Sequence, residues 1–173
     1  SDTMQQKPQS ERVHIAFFGR CNSGKSSLIN ALTGQNIAVV SAQSGTTTDS
    51  VSKSMELPGV GACVLIDTPG FDDEGGLGAL RVRRTRQILK RTDLAVLVVD
   101  GTKGLSMADE ELIRLFQEQE TDCILAWNKS DLIALSSDPG SALIPGSAAA
   151  SIRSVRVSAL TGENMDLLRE MIA

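Results

Sequence analysis

Residue types that build metal and redox sites are scarce in this sequence. Its 173 residues include one histidine and three cysteines, and the cysteines form no Cys-x-x-Cys pair, so the sequence offers no zinc or haem ligand set. Three cysteines spread along the chain also give no disulfide framework, which favours a reducing compartment. We therefore expect a protein of the cytoplasm, or of an organelle stroma or matrix if a transit segment has been removed.

Excess positive charge and long apolar runs are also missing. Lys and Arg total 17 against 21 Asp and Glu, a net charge of -4, so no global positive field favours direct nucleic-acid binding. The longest unbroken apolar run, 94–99, is far shorter than the ~20 residues of a membrane span. The polar segment 1–12 has no signal-peptide core. The sequence thus predicts neither membrane insertion nor export.

The remaining composition is that of one globular domain, with 41% hydrophobic and 22% charged residues. Residues 1–10 have almost nothing to bury and predict a flexible tail, which leaves the domain at 11–173. Short apolar runs typical of buried parallel strands alternate with amphipathic segments typical of helices. The strands are expected at 13–18, 62–66, 94–99, 122–127 and 154–157, and the helices at 25–32, 80–91, 108–120 and 163–172.

This alternation predicts a three-layer α/β fold with a mixed, mostly parallel sheet of about six strands. Residues 51–57 break the pattern because they precede Pro58 and Gly59, and we expect them to form an antiparallel edge hairpin with the next strand. Residues 131–151 mix Ser, Ala, Gly and Pro and predict an irregular link. Ligands are expected at the carboxyl ends of the parallel strands.

A phosphate-loop motif lies between the first predicted strand and the first predicted helix. Residues 19–26 read GRCNSGKS, which has the spacing G-x-x-x-x-G-K-[ST]. The glycines let backbone amides surround phosphate oxygens, and the helix N-terminus adds positive potential. Lys25 is expected to reach the terminal phosphates and the Ser26 hydroxyl to bind Mg²⁺. The other residues expected to bind nucleotide here are Asn22, Ser23, Gly24 and Ser27.

A second motif, DTPG, ends the predicted strand at 62–66. The Asp67 carboxylate can hold a water bound to Mg²⁺, and the Gly70 amide can contact a terminal phosphate. Any strand can end in Asp and then turn at Pro-Gly, so this motif is weak alone. A phosphate loop at a suitable distance upstream favours the functional interpretation.

A third motif, NKSD at 128–131, follows the strand predicted at 122–127 and indicates base selection. The Asp131 carboxylate can accept hydrogen bonds from both the ring N–H and the exocyclic amine of guanine, and adenine offers no such pair of donors. Asn128 and Lys129 complete this loop. Main-chain amides after a further strand are expected to back the base, at Ser158, Ala159 and Leu160.

Together these motifs resemble the guanine-nucleotide-binding domains related to Ras and translation factors, and the resemblance covers nearly the whole chain from Val13. It implies binding of GTP and GDP with Mg²⁺ and hydrolysis of GTP. GTTTD at 45–49 resembles the bacterial tRNA-modification and ribosome-assembly GTPases, and by that match Thr47 is a magnesium ligand, with Thr46 and Thr48 as alternatives. A P-loop kinase for a small metabolite is a rival, but it has no use for the guanine-selecting motif.

The residue after D-x-x-G bears on catalysis. Many GTPases have a glutamine there that orients the attacking water, but here it is Phe71, which cannot. By resemblance to the tRNA-modification GTPases, Asn22 binds a K⁺ that neutralises charge between the β- and γ-phosphates; alternatively Asn22 only braces the loop. We therefore expect slow hydrolysis that K⁺ accelerates. The expected catalytic residues are Lys25, Thr47 and Gly70, and the expected metal ligands are Ser26, Thr47, Asp67 and Asn22.

Four shorter strings resemble the GTPase domain of the HydF family of FeFe-hydrogenase maturation proteins. They are GTTTD (45–49), KSMEL (53–57), IDTPGFDD (66–73) and GALRV (78–82). This resemblance implies a longer native protein with a dimerisation domain and an iron–sulfur domain, other maturation proteins as partners, and a regulatory switch role. The alternatives are a tRNA-modification or ribosome-assembly GTPase domain, or a binding switch with negligible turnover.

A run of basic residues without any acidic residue coincides with the helix predicted at 80–91. Such a run is usually a solvated face. The alternative is that it docks a partner domain or protein when the nucleotide state changes. The basic residues are Arg81, Arg83, Arg84, Arg86, Lys90 and Arg91.

Overall fold

The computed structural model describes residues 12–21, 23–34, 50–71, 77–129, 153–159, 161–162 and 164–172. The tail expected at 1–10 and the link expected at 131–151 lie outside these residues. No helix in the described stretches is long and apolar enough to cross a bilayer. The elements are β1 (Val13–Gly19), α1 (Lys25–Thr33), β2 (Val51–Leu57), β3 (Gly61–Asp67), α2 (Ala79–Leu89), β4 (Leu94–Asp100), α3 (Met107–Glu118), β5 (Asp122–Asn128), β6 (Arg153–Arg156) and α4 (Met165–Ile172).

The strands form one six-stranded sheet in the order β2-β3-β1-β4-β5-β6. β2 runs antiparallel to β3 at one edge, and the other neighbouring pairs are parallel. The expected α/β fold and the expected edge hairpin are therefore confirmed. β1 lies between β3 and β4, so the chain crosses to the other side of β1 after β3. Ligand clefts of open α/β sheets lie at such reversals of strand order.

The central strands are apolar almost throughout because helices cover both faces of the sheet. Successive residues of β1 point to opposite faces: Ile15 and Phe17 belong to one buried cluster, Ala16 and Phe18 to the other. The first cluster includes Leu28 of α1 and Leu168 of α4, and the second includes Leu89 of α2 and Phe116 of α3. This arrangement gives the three expected layers.

Three helices begin at residues other than those expected, each for a local reason. α2 spans Ala79–Leu89 and not 80–91, and it begins directly after Gly78, whose extended backbone (φ -72°, ψ 160°) is the N-cap. α3 begins one residue earlier because Ser106 caps it: the Asp109 amide donates to Ser106 Oγ at 3.2 Å, and the Ser106 amide donates to Asp109 Oδ2 at 2.9 Å. α4 begins at Met165 and not at 163, because Asn164 has φ 59°, a left-handed conformation that no α-helix contains.

Candidate functional site

The turn between β1 and α1 is shaped by hydrogen bonds to its own backbone and to the chain after β3. The amide and the hydroxyl of Ser23 donate to Arg20 O at 3.0 and 2.8 Å, and the Cys21 amide donates to Phe71 O at 3.0 Å. Gly24 ends the turn at φ 82°, and no described side chain caps α1. The amides of the first helical turn, which lack intrahelical partners by geometry, therefore lie at a site suited to an anion.

Glycine is required at both glycine positions of this turn because the neighbouring atoms leave no room for a side chain. A Cβ at residue 19 would lie 2.6 Å from Ser23 Oγ, and a Cβ at Gly24 would lie 2.3 Å from Asn128 Nδ2. Gly70 approaches from another side, where its Cβ would lie 3.1 Å from Cys21 Sγ. The turn is thus a tightly packed backbone cradle, of the kind that phosphate groups occupy.

Lys25 and Asp67, which belong to two different motifs, are in direct contact. Lys25 Nζ donates to Asp67 Oδ1 and to Thr68 O, the latter at 2.6 Å. The side chains of Lys25 and Asp67 are 7% and 9% exposed, so water screens the pair poorly. Thr68 is itself fixed, since its hydroxyl donates to Phe17 O at 2.6 Å. The ammonium group and the carboxylate therefore lie together at the carboxyl edge of the sheet.

Asn128 joins three loops that come from distant parts of the chain. Its Nδ2 donates to Ser23 O at 3.0 Å, and its Oδ1 accepts a hydrogen bond from the Ala159 amide at 3.2 Å. The residue is 2% exposed. The turn beyond is closed by Ser158, whose Oγ accepts from the Thr161 amide at 3.1 Å. The phosphate-loop turn and the two loops expected to recognise the base therefore form one connected unit.

Lys129 is fixed by Asp100 at the end of β4. Its ammonium group donates to Asp100 Oδ2 at 2.9 Å, and its backbone has φ 62°. The other carboxylate oxygen accepts from the amide and the hydroxyl of Thr102 at 2.9 and 2.5 Å. Burial by itself would raise the pKa of Asp100, but the hydrogen bonds from Thr102 and Lys129 outweigh it and hold that pKa below its usual value.

The described site residues lie at the carboxyl ends of β1, β3 and β5, on the first turn of α1, or just after β6. Ser26 is half-buried and Ser27 is exposed on that helical turn. The predicted residues found in these places are Ser23, Gly24, Lys25, Ser26, Ser27, Asp67, Gly70, Asn128, Lys129, Ser158 and Ala159. Four predicted residues lie outside the described part of the chain: Asn22, Thr47, Asp131 and Leu160.

Three residues that shape the site were not predicted. Arg20 occupies a position of the phosphate-loop motif for which the motif specifies no residue type. Its Nη2 donates to Gly104 O at 2.9 Å, and its Nε lies 3.4 Å from Asp109 Oδ2. Arg81 donates to the carbonyls of Pro69 and Gly70 at 2.8 and 3.2 Å. Asp100 has the same sequence signal as Asp67, an acid that ends an apolar strand, and could have been found by it.

The donor set suits magnesium with a phosphate ligand. Asp67 offers a carboxylate and Ser26 a hydroxyl, and Mg²⁺ prefers few protein oxygens together with water and phosphate oxygens. The described residues contain no cluster of three His, Cys, Asp or Glu side chains that could hold a metal by themselves. A metal here would therefore be shared with a bound phosphate chain.

Comparison with known proteins places these motifs in a family. The sequence profile of the family described as 50S ribosome-binding GTPase matches residues 14–129. The tRNA modification GTPase MnmE of a Roseiflexus species is 39% identical over 168 residues, 93% of this chain and 35% of that protein. GTPase Der of a Nitratiruptor species is 34% identical over 127 residues, 72% of this chain and 27% of that protein.

A solved structure supports the same relationship. The Aquifex aeolicus Era structure bound to GDP and AlF4⁻ is similar with a TM-score of 0.72 and 28% identity, covering 92% of this chain and 55% of that one. The chain spans about a third or less of the two sequence relatives named above. It has the P-loop motif and the sheet order of a GTP-binding domain, and its sequence relatives are GTPases. The chain therefore belongs to the P-loop GTPase family that includes Era, Der and the tRNA modification GTPase MnmE.

Proposed function

We propose that this GTPase domain is the regulatory switch of an FeFe-hydrogenase maturation protein of the HydF type, and that K⁺ accelerates its slow GTP hydrolysis. The observation that carries the switch is the Asn128 bridge at 3.0 Å to Ser23 and 3.2 Å to Ala159, since it makes phosphate binding and base binding parts of one unit. The strings at 45–49, 53–57, 66–73 and 78–82 support the maturation role by resemblance.

The phosphate chain would be bound by the phosphate-loop amides and by Lys25. To reach a phosphate, the Lys25 ammonium group exchanges the Asp67 carboxylate and the Thr68 carbonyl for phosphate oxygens. Asp67, Ser26 and Thr47 would hold Mg²⁺, which supplies charge neutralisation when it is bound. Phosphoryl transfer needs mainly positioning and charge neutralisation, and these residues provide both.

The attacking water would be oriented by backbone groups and not by the side chain after D-x-x-G. Phe71 is 6% exposed and packs in the cluster under α2 and α3, so it presents no hydrogen-bonding group. The Gly70 amide is the group we assign to the γ-phosphate. Asn22 is the residue we assign to K⁺. Hydrolysis would then be slow without an added cation.

Base identity would be read by Asp131, which follows Asn128 and Lys129 in the base-selecting motif. Asn128 and Lys129 are both fixed by side-chain hydrogen bonds, which supports a fixed start for this motif. The amides of Ser158, Ala159 and Leu160 would back the base. The expected partners are guanine nucleotide, other maturation proteins, and the dimerisation and iron–sulfur domains of a longer native protein, in the cytoplasm or an organelle stroma or matrix.

Single-turnover GTP hydrolysis in KCl and in NaCl tests the catalytic part of the proposal. We expect K⁺ to raise the rate about tenfold over Na⁺, equivalent to about 1.4 kcal/mol of barrier, and Asn22→Ala to abolish the difference. Glu170→Gln, an exposed change on α4, is the control and should respond to K⁺ as the unchanged chain does. Equal hydrolysis rates in the two salts would show that K⁺ does not accelerate the reaction.

A tRNA-modification or ribosome-assembly role is the second candidate, favoured by the name of the relative MnmE, a tRNA modification GTPase, and by the family description, 50S ribosome-binding GTPase. The two roles separate in the organism that encodes the chain, with Lys25→Ala introduced at the native locus. The maturation role predicts loss of FeFe-hydrogenase activity with tRNA modification and ribosome profiles unchanged. Intact hydrogenase activity together with altered tRNA or ribosomes would assign the domain to the second role.

A further inference from the structure

A cavity of about 550 Å³ opens between α2, α3 and the turn after β3. Its described lining residues include none from the phosphate-loop turn or α1, but they include Thr68 and Pro69 of the DTPG motif, so the cavity adjoins the nucleotide cradle. Its volume falls in the range of cavities that bind small molecules or single large side chains, which begins at roughly 300 Å³.

The base of this cavity is apolar. Phe18, Phe71 and Leu112 line it, and all three belong to the buried cluster on this face of the sheet. Ile88 and Leu80 of α2 complete the apolar lining, and Leu80 is 52% exposed. Leu80 thus extends the apolar lining of the cavity to the protein surface.

The charged lining of the cavity is positive. Arg81, Arg84 and Arg91 line it, and in the described part of the chain no carboxylate forms an ion pair with Arg84 or Arg91. On the same helix, Arg86 is paired with Glu118 of α3 at 3.1 Å. The basic run is thus divided. Arg86 has a carboxylate partner within the chain, whereas among the described residues Arg84 has none and Arg91 donates only to the Ser50 hydroxyl, at 3.4 Å.

We propose that this cavity binds an acidic peptide segment of a partner protein, with one large apolar side chain inside the cavity and carboxylates on Arg84 and Arg91. Arginine forms paired hydrogen bonds with carboxylates, and clusters of arginine recognise acidic motifs. A buried apolar anchor beside such charges is the usual arrangement of a strong contact. RNA fits less well, because the described lining residues offer no exposed aromatic face on which a base could stack.

The position of the cavity connects an occupant to the nucleotide loop. Arg81 lines the cavity and donates to the carbonyls of Pro69 and Gly70. Phe71 also lines it, and its carbonyl accepts the Cys21 amide of the phosphate-loop turn. A segment bound here therefore contacts the chain that packs against the cradle. Peptide binding itself does not depend on the proposed maturation role.

A random 12-residue peptide display library, selected on the chain with GDP and Mg²⁺ present, tests the proposal. We expect the selected peptides to share a Leu or an aromatic residue flanked by Asp or Glu. One selected peptide, labelled with fluorescein, is then titrated by anisotropy. On binding it should shift the methyl NMR signals of Ile88, Leu80 and Leu112 and not that of Leu28 on the opposite face of the sheet.

Arg84→Glu should weaken the peptide at least tenfold, and Leu80→Ser should do the same through loss of the apolar contact. Arg83→Glu is the matched control: the residue is adjacent, basic and exposed but does not line the cavity, so it should change affinity less than twofold. Unchanged GDP affinity confirms that each variant is folded. An equal loss of peptide affinity in the Arg83 and Arg84 variants would show that the peptide binds through nonspecific charge, and it would overturn the proposal.

Two other occupants are distinguished in the same assay. A labelled single-stranded RNA that binds tighter than any selected peptide, and that Arg84→Glu weakens, would assign the surface to RNA. Peptide binding that appears only after neutralisation of Asp72, Asp73 and Glu74 would assign it to the chain's own acidic segment. Either result, or a selection without acidic enrichment, contradicts the proposal.

Discussion

At the scale of single residues, Gly24 is the position of the cradle that has no room for a side chain. Its φ of 82° is unfavourable for any other residue, and its Cβ would meet Asn128 Nδ2 at 2.3 Å. The clash with Asn128 is the more damaging of the two, because Asn128 is buried and joins three loops. A side chain at residue 24 would displace the amide that connects the phosphate and base loops.

We predict that Gly24→Ala lowers GDP affinity at least about 100-fold, equivalent to about 2.7 kcal/mol, measured by isothermal titration. Gly59→Ala is a matched control, since Gly59 has the same φ of 82° and nothing within 4 Å of a Cβ. In the control, backbone strain alone should lower the free energy of unfolding, by about 1–2 kcal/mol, and the GDP affinity should not change. Equal GDP affinity in both variants would contradict the role given to Asn128.

At the scale of elements, β4 and β5 are joined beyond their pairing by the Asp100–Lys129 contact at 2.9 Å. The Asp100 side chain is 4% exposed, and its pKa is held down by the hydrogen bonds from Thr102 and Lys129 against the effect of burial. A folded-state pKa below the unfolded value of about 3.9 means that the charged carboxylate stabilises the fold above that pH. The stabilisation is lost as the pH falls through the folded-state pKa.

Asp100→Asn should therefore lower the free energy of unfolding by about 1–3 kcal/mol at pH 7, since it removes charge-assisted hydrogen bonds. The difference from the unchanged chain should shrink as the pH falls below about 4. Urea unfolding followed by the fluorescence of Trp127, the only tryptophan, measures it. Asp122→Asn, at the exposed start of β5, is the control. A difference that stays constant down to pH 3 would exclude the charge as its cause.

The elements themselves were largely predictable, because their cause is local. Near-continuous apolar runs predicted β4 and β5, and the turn at Pro58 and Gly59 predicted the antiparallel edge hairpin. The errors lie at helix ends. The cap of α3 uses an Asp where the better known pattern has Glu or Gln, and the left-handed Asn164 has no signal in the residues around it.

At the scale of the whole molecule, the site is a meeting of loops that only the fold brings together. Sequence motifs named Lys25, Asp67 and Asn128 separately. The contacts between them span 42 residues for Lys25 with Asp67 and 105 residues for Asn128 with Ser23. Spacing along a chain does not specify such contacts, so the Lys25–Asp67 pair and the bracing role of Asn128 could not be predicted.

Guanine selectivity depends on the coupling of the phosphate loop to the loops expected to bind the base. Isothermal titration of the chain with GDP and with ADP, in the presence of Mg²⁺, measures that selectivity. We expect GDP to bind about 10⁴-fold tighter than ADP, since a site built to hydrogen-bond a group rejects the analogue that lacks it, and Asp131→Asn to remove most of that preference. Comparable affinities for the two nucleotides would contradict the account.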